Sequence, residues 1–565
     1  MLTLTLNPGL ALIIFGLLAL ATPRAARAPM MAGAALLALW LLLDRDFGAA
    51  AARAQMGLEV VPLSLNALNR IFGIGMLIVL VAIALFSSAR RNRYEDAAIL
   101  ILAGGAVSAL FVGDFLFFVA AAAVAGLAAA WTVFASPLEG ANRAGARLLI
   151  WHGLEGLLFL IGVAMHITAR SGSVELTRMD VRTIEGGCIF AALMIRVGGP
   201  LAHVWFKDVI SHASPTGAAA LSAFTTMLGV YALALLFPAE PLLIPIGAAM
   251  IAIGGFFAAA DDDLRRAAAY ALMAQNGVCI ALIGLGSPLA LAAAEGHAFA
   301  AMLAFAALQM AIGGVVERAR TARVSDLTGL AQVMPVSAFL MLAAGLAAAA
   351  APGSAMYATH AVALDALAQW DTRVVWAMIA ALPAVVLLSV ALKPALTANR
   401  PTAKARARNE APFAMLLGSG LATFLSLAVG LAPGWLYDLM PAALVFEPYA
   451  IDRIAPHLEL LGVAGLAFLG LRLIGAAPKR PPHILLDIDA LYRGPLASAG
   501  RWLGVVMLRV YGAWHDATAR SSQAAADRIG QWASACDRPF TGSAAAVAAQ
   551  FLSLAAILLI ALLFV

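Results

Sequence analysis

The chain has 565 residues, of which 63% are hydrophobic and only 12% charged, far from the even balance of a soluble domain. A mean hydropathy of +0.93 excludes the several water-covered domains that a soluble chain of this length would form. The formal charge of +5 gathers in short loops, which points to membrane orientation and not to nucleic acid.

A bilayer core of about 30 Å takes about 20 apolar helical residues. Candidate spans begin near residues 8, 29, 70, 95, 114, 148, 184, 214, 240, 266, 288, 333, 373, 413, 458 and 545, about sixteen in all. No basic stretch precedes the first apolar core, and Arg24 and Arg27 follow it. That order predicts a retained first helix with its N-terminus outside, and not a cleaved signal. Loops after odd-numbered spans are rich in arginine, as in Arg90, Arg91 and Arg93 or Arg318, Arg320 and Arg323. Loops after even-numbered spans are sparser, with Arg170, Arg373 and Arg453 among their few cations. The positive-inside rule therefore puts the odd loops in the cytoplasm. From about 477 to 543 the chain turns polar, and RWLGVVMLRVYGAWHDATAR carries helical spacing of Leu, Val and Trp against Arg. An amphipathic helix along the membrane face or a partner is expected there, ahead of a terminal span.

Ionisable groups inside spans are costly and usually functional. Arg196 lies in an apolar stretch that Gly198, Gly199 and Pro200 interrupt. A broken helix frees carbonyls and helix ends at membrane depth, the usual construction of ion sites. Asp261, Asp262 and Asp263 precede Arg265 and Arg266 and suit a helix N-terminus. His297, His360 and Lys393 stand alone in apolar segments. Histidine titrates near neutrality and a desolvated lysine can release its proton, so the three are candidate proton relays. Cys188, Cys279 and Cys536 are widely spaced with no CxxC, which predicts neither a disulfide framework nor a metal site.

These stretches resemble the antiporter-like subunits of respiratory complex I and of Mrp-type cation/proton antiporters, a proton-conducting family. The family pattern PxHxWLPDAxxxAPTPVSAxL…GVY is met by Pro200, His203, Trp205, Asp208, Ala213, Pro215, Thr216, Ala220 and Leu221, then Gly229, Val230 and Tyr231. DLKRxLAYSSxSQxG is similar to Asp263, Leu264, Arg265, Arg266, Ala269, Tyr270, Gln275 and Gly277. HAFFKALLF is matched by His297, Ala298, Phe299 and Phe305, and DLxGLxxxMP by residues 326–335. Later stretches, including ALKPAL around Lys393 and LLDIDALYR ending at Arg493, lean towards the Mrp D subunit.

The resemblance implies an all-α polytopic membrane protein of about fourteen core helices. These hold two inverted five-helix repeats, each with a broken helix, one carrying Arg196 and one near 333–360. It implies N-terminal transmembrane helices over 1–112, repeats over 113–259 and 260–432, and an extension over 433–565 with about two extra spans. The family's central axis of Glu and Lys is depleted: Ala123, Met227 and Ala301 stand where titratable residues are usual, and Arg196 stands for a lysine. Arginine keeps its proton at any working pH. Glu155, with His152 one turn earlier on the same face, is a candidate substitute carboxylate.

The expected function is therefore that of a membrane subunit of a multisubunit ion-translocating complex in a bacterial inner membrane. It would conduct protons, or exchange them for Na⁺ or K⁺, beside other membrane subunits and lipid. The alternatives are a degenerate structural subunit that has lost conduction, or the membrane subunit of a redox-driven complex of quinone or hydrogenase type. No cofactor motif and no metal spacing is read in this chain, so catalytic redox chemistry would belong to partners.

Overall fold

In the computed structural model, the described residues are 6–49, 53–55, 58–90, 92–327, 329–393, 409–441 and 444–474, together with helical positions 498, 502, 506 and 509. The expected terminal span near 545 and most of the amphipathic stretch lie outside them.

The protein is all-α and polytopic. Its first helices are α1 (Pro8–Ala19), α2 (Arg24–Leu43), α3 (Ala67–Ser87), α4 (Arg93–Leu110), α5 (Phe115–Phe134) and α6 (Ala141–Ala169). Then follow α7 (Ile184–Arg196), α8 (Val204–His212), α9 (Pro215–Leu236), α10 (Leu243–Ala260), α11 (Leu264–Leu285) and α12 (Pro288–Ala319). The last are α13 (Leu330–Val333), α14 (Pro335–Ala348), α15 (Ala355–Ala368), α16 (Arg373–Val386), α17 (Phe413–Leu431), α18 (Gly434–Leu439) and α19 (Ile451–Leu473). Eleven helices among the described residues are long and apolar enough to cross a membrane, counting α16 together with the π turn that continues it to Ala391. Fifteen of the expected span positions fall at helices that start within seven residues of them, but only those eleven are long and apolar enough to cross.

Short polar caps set these starts. Asn66, Asp114, Ser214, Asp263, Ser287 and Ser354 each accept a backbone N–H of the first turn they precede, and Pro215, Pro288 and Pro335 occupy the first helical position, where the missing N–H costs nothing. The loop over 48–65 contains two short antiparallel pairings, Gly48–Ala49 with Ser64–Leu65 and Arg53–Gln55 with Leu58–Val60. The sequence pattern does not predict them.

The central element is α12, 32 residues long and buried over nearly its whole length. It packs against α3, α9, α11, α14, α15 and α17. By contrast, α6 and α19 leave one apolar side uncovered, with Ile150, Leu157, Val463 and Leu466 each more than half exposed.

Two helices are broken where the sequence suggested. α7 stops at Arg196 and α8 resumes at Val204, with Gly198 at φ +71° between them. A side chain would be strained at that angle. α14 ends at Ala348 and α15 starts at Ala355, with Gly353 at φ +91° in the gap.

Candidate functional site: two buried polar clusters

The first cluster lies at the α7–α8 break. Arg196 Nε donates to Glu155 Oε1 at 2.5 Å, and Arg196 Nη2 donates to the Ala122 carbonyl at 3.2 Å. Both side chains are buried, at 4% and 3% exposure. The pair faces a cavity of about 210 Å³ that is also lined by Ala122, Ala123, Gly126 and His152. Glu155, on α6, is thus the carboxylate that pairs with Arg196. His152 sits beside it, its ring edge-on to Trp205 at 5.1 Å.

The motif residues around this break are joinery. Trp205 Nε1 donates to the Ile195 carbonyl at 2.8 Å, and His203 Nδ1 lies 2.8 Å from the Pro200 carbonyl. The Ile195 carbonyl also accepts from Gly198 N at 3.2 Å, and Pro200 lies within the break, so both contacts pin the interrupted backbone. Asp208 on α8 is gripped by Arg147 Nε at 2.7 Å and Nη2 at 2.6 Å, which ties α8 to α6. Pro215 opens α9. Asp263 caps α11 through the amides of Arg265 and Arg266, while Arg266 holds Asp261 through two bonds of 2.7 and 2.8 Å. Of the three aspartates, only Asp263 is the cap.

The second cluster is centred on α12. His297, fully buried, places Nε2 2.9 Å from Gln275 Oε1 of α11 and Nδ1 3.3 Å from the Thr359 hydroxyl of α15. The Gln275 oxygen only accepts, so His297 donates from Nε2 and Nδ1 is the accepting nitrogen. It lies beside a Thr359 hydroxyl whose one proton also has the Ala355 and Met356 carbonyls at 3.1 and 3.2 Å. The His360 ring centre lies 6.5 Å from that of His297, and its buried Nε2 has no hydrogen-bond partner among the described residues. Gln275 and Thr359 both contact His297, and the His360 ring stands beside it without a direct hydrogen bond; two neighbouring imidazoles can each carry a proton on either nitrogen. Thr359 and His457 belong to this cluster too, and no sequence motif pointed to either. His457, on α19, places its ring 5.5 Å from His360 and Nε2 2.8 Å from the Ala350 carbonyl.

Lys393 is held elsewhere. It follows α16, whose final stretch is loosened by Pro383 and by a π turn over Leu387–Ala391. Its ammonium donates to the carbonyls of Ala258 at 3.1 Å and Ala259 at 3.0 Å, and to that of Asp261. These are the open carbonyls at the end of α10, where a cation meets the negative end of the helix dipole. Among the described residues, no group of three or more Cys, His, Asp or Glu is arranged to hold a metal ion.

Residues 132–386 match the family described as NADH:quinone oxidoreductase/Mrp antiporter, TM. The chain is 30% identical over 225 residues to NADH-quinone oxidoreductase subunit N of Desulforudis audaxviator, covering 36% of this chain and 44% of that protein. It is 31% identical over 157 residues to a probable K⁺/H⁺ antiporter component of Rhizobium meliloti, covering 26% of this chain and 16% of that protein. The matching stretch spans less than half of each of these relatives. The fold is similar to a chain of the Mrp complex from Dietzia sp., with TM-score 0.69 and 19% identity over 81% of this chain and 100% of that one. It is equally similar, at TM-score 0.69 and 19% identity, to a chain of the archaeal membrane-bound sulfane sulfur reductase, covering 98% of this chain and 99% of that one.

Proposed function

We propose, from the match of residues 132–386 to the transmembrane family of NADH:quinone oxidoreductases and Mrp antiporters, that this chain is a membrane subunit of a multisubunit ion-translocating complex. It sits as a multi-pass protein in a bacterial cell membrane and moves protons through its second repeat, residues 260–432. The observation that carries the reading is the buried string Gln275–His297–Thr359 with His360 beside it, next to the break between α14 and α15. Titratable groups at that depth cost free energy that packing alone does not return. Lys393 enters as a positive charge near the arginine-rich face. The exposed apolar sides of α6 and α19 suit other membrane subunits or lipid, and any exchanged cation would be monovalent.

The first repeat, 113–259, has a different character. Its arginine cannot release a proton at working pH, and Glu155 neutralises it. This observation favours the second reading, a structural subunit that keeps the fold and has lost conduction.

The test is proton uptake by vesicles holding the purified complex, driven by an imposed membrane potential. His297→Gln and His360→Gln are expected to reduce uptake to that of protein-free vesicles while every subunit still co-purifies. Wild-type uptake in both variants would establish the structural reading instead.

A further inference from the structure

Beyond His360 the imidazole series continues on a helix outside the two repeats, and it ends at an opening. His457 lies near the start of α19, 7% exposed, with its ring edge-on to Tyr357 at 5.0 Å and 5.5 Å from His360. His457 and His360 both line a cavity of about 380 Å³ between α15, α16 and α19, with Asp365, Asp452 and Arg453 among its walls. Asp365 and Arg453 face each other there at 3.7 Å and are each about one-third to two-fifths exposed. The cavity thus runs from buried imidazoles to solvent-reached carboxylates.

This opening lies where α15 ends, α16 begins and α19 begins, among the loops that carry the few cations Arg373 and Arg453. That is the face opposite the arginine-rich loops, whereas Lys393 and the Asp261–Arg266 cluster belong to the arginine-rich side. A path along His297, His360 and His457 therefore spans from mid-protein to the sparse-charge face.

We propose that His457 is the terminal proton carrier of this chain and that the α15–α16–α19 cavity is the port through which protons meet water on that face; this rests on proton movement through the second repeat. The Ala350 carbonyl can only accept, so His457 donates to it from Nε2 and leaves Nδ1 as the accepting nitrogen. A proton taken at Nδ1 from His360 makes the imidazolium. Nε2–H stays on the Ala350 carbonyl, so the ring returns to neutrality by releasing the proton from Nδ1 to water in the cavity that Asp365 and Asp452 line. Ring centres lie 5.5 and 6.5 Å apart with no direct hydrogen bond between the rings, so each transfer would pass through a bridging water. The competing role is purely structural, because the same Nε2 contact satisfies a carbonyl at the end of α14.

His457→Gln separates the two, since its amide N–H can still reach the Ala350 carbonyl and it carries no titratable proton. In the vesicle assay above, His457→Gln is expected to lose proton uptake with the complex intact. His457→Ala is expected to lose it too, and added imidazole, which fits the open cavity, is expected to restore it. Wild-type uptake in His457→Gln beside lost uptake in His360→Gln would overturn the port and leave the proposed function standing. Wild-type uptake in both would overturn both. If His457→Gln lowers complex yield, the imidazole response of assembled His457→Ala decides, and no response overturns the proposal.

Discussion

Arg196 on α7 and Glu155 on α6 form a buried ion pair at 2.5 Å, 41 residues apart in sequence. The arginine lies at the end of α7, just before the break, and the glutamate comes from the neighbouring α6. A buried arginine without this partner would leave a desolvated charge.

Glu155→Gln is therefore expected to destabilise the protein by about 3–5 kcal/mol, the cost of leaving one buried partner uncompensated. Ala123 lines the same cavity as the pair, so adding Ala123→Glu to Glu155→Gln should recover most of the loss. Thermal unfolding of the detergent-solubilised protein, followed by tryptophan fluorescence, reads both steps. An Ala123→Glu change that deepens the loss would show that residue 123 does not reach Arg196.

Much of the fold was legible in the sequence. Apolar segment length located the helices, and Gly198–Pro200 marked the first break because two consecutive glycines followed by a proline weaken one helix turn together. The run Asp261–Asp263 was legible as a helix N-terminus, but which of the three caps α11 was not. The Arg196–Glu155 pair was only half legible: spacing puts His152 and Glu155 on one face of α6, but which way that face turns is decided by packing. His457 was not legible at all, since a single histidine in an apolar helix gains meaning only when α15 and α19 bring it to His360. The pairings over 48–65 escaped because strands of two or three residues carry too little alternation to read.

Asp114 gives a pH test outside the spans. It precedes α5, is fully buried, and accepts from Phe117 N at 2.9 Å and Val61 N at 3.0 Å. Burial outweighs these bonds and pushes its carboxyl up to about 6 from the usual 3.8. Between those two values the folded state keeps a proton that the unfolded state has lost, so stability falls as pH rises through the window. The fall amounts to at most about 3 kcal/mol and is complete above about pH 6. Asp114→Asn keeps an oxygen for the Phe117 N–H but cannot ionise. Its melting temperature relative to wild type should thus rise between pH 4 and 6 and then stay level. A constant difference across that range would contradict the assignment.

Lys393 poses the sharpest choice between a moving proton and a fixed charge. Its ammonium is solvated by the carbonyls of Ala258, Ala259 and Asp261, an arrangement that serves a charge better than it serves a departing proton. Lys393→Met removes every donor from those carbonyls and should cost about 1.5–3 kcal/mol, the range for hydrogen bonds to a charged group. Lys393→Arg keeps the charge and the donors while holding its proton permanently. If Lys393 is a fixed charge at the entrance, the arginine variant should match wild type in both melting temperature and proton uptake. An arginine variant with wild-type stability and no uptake would instead make Lys393 a carrier that loses its proton in each cycle. The carbonyl ring at the end of α10 favours the first outcome, and the two measurements on one variant are enough to decide it.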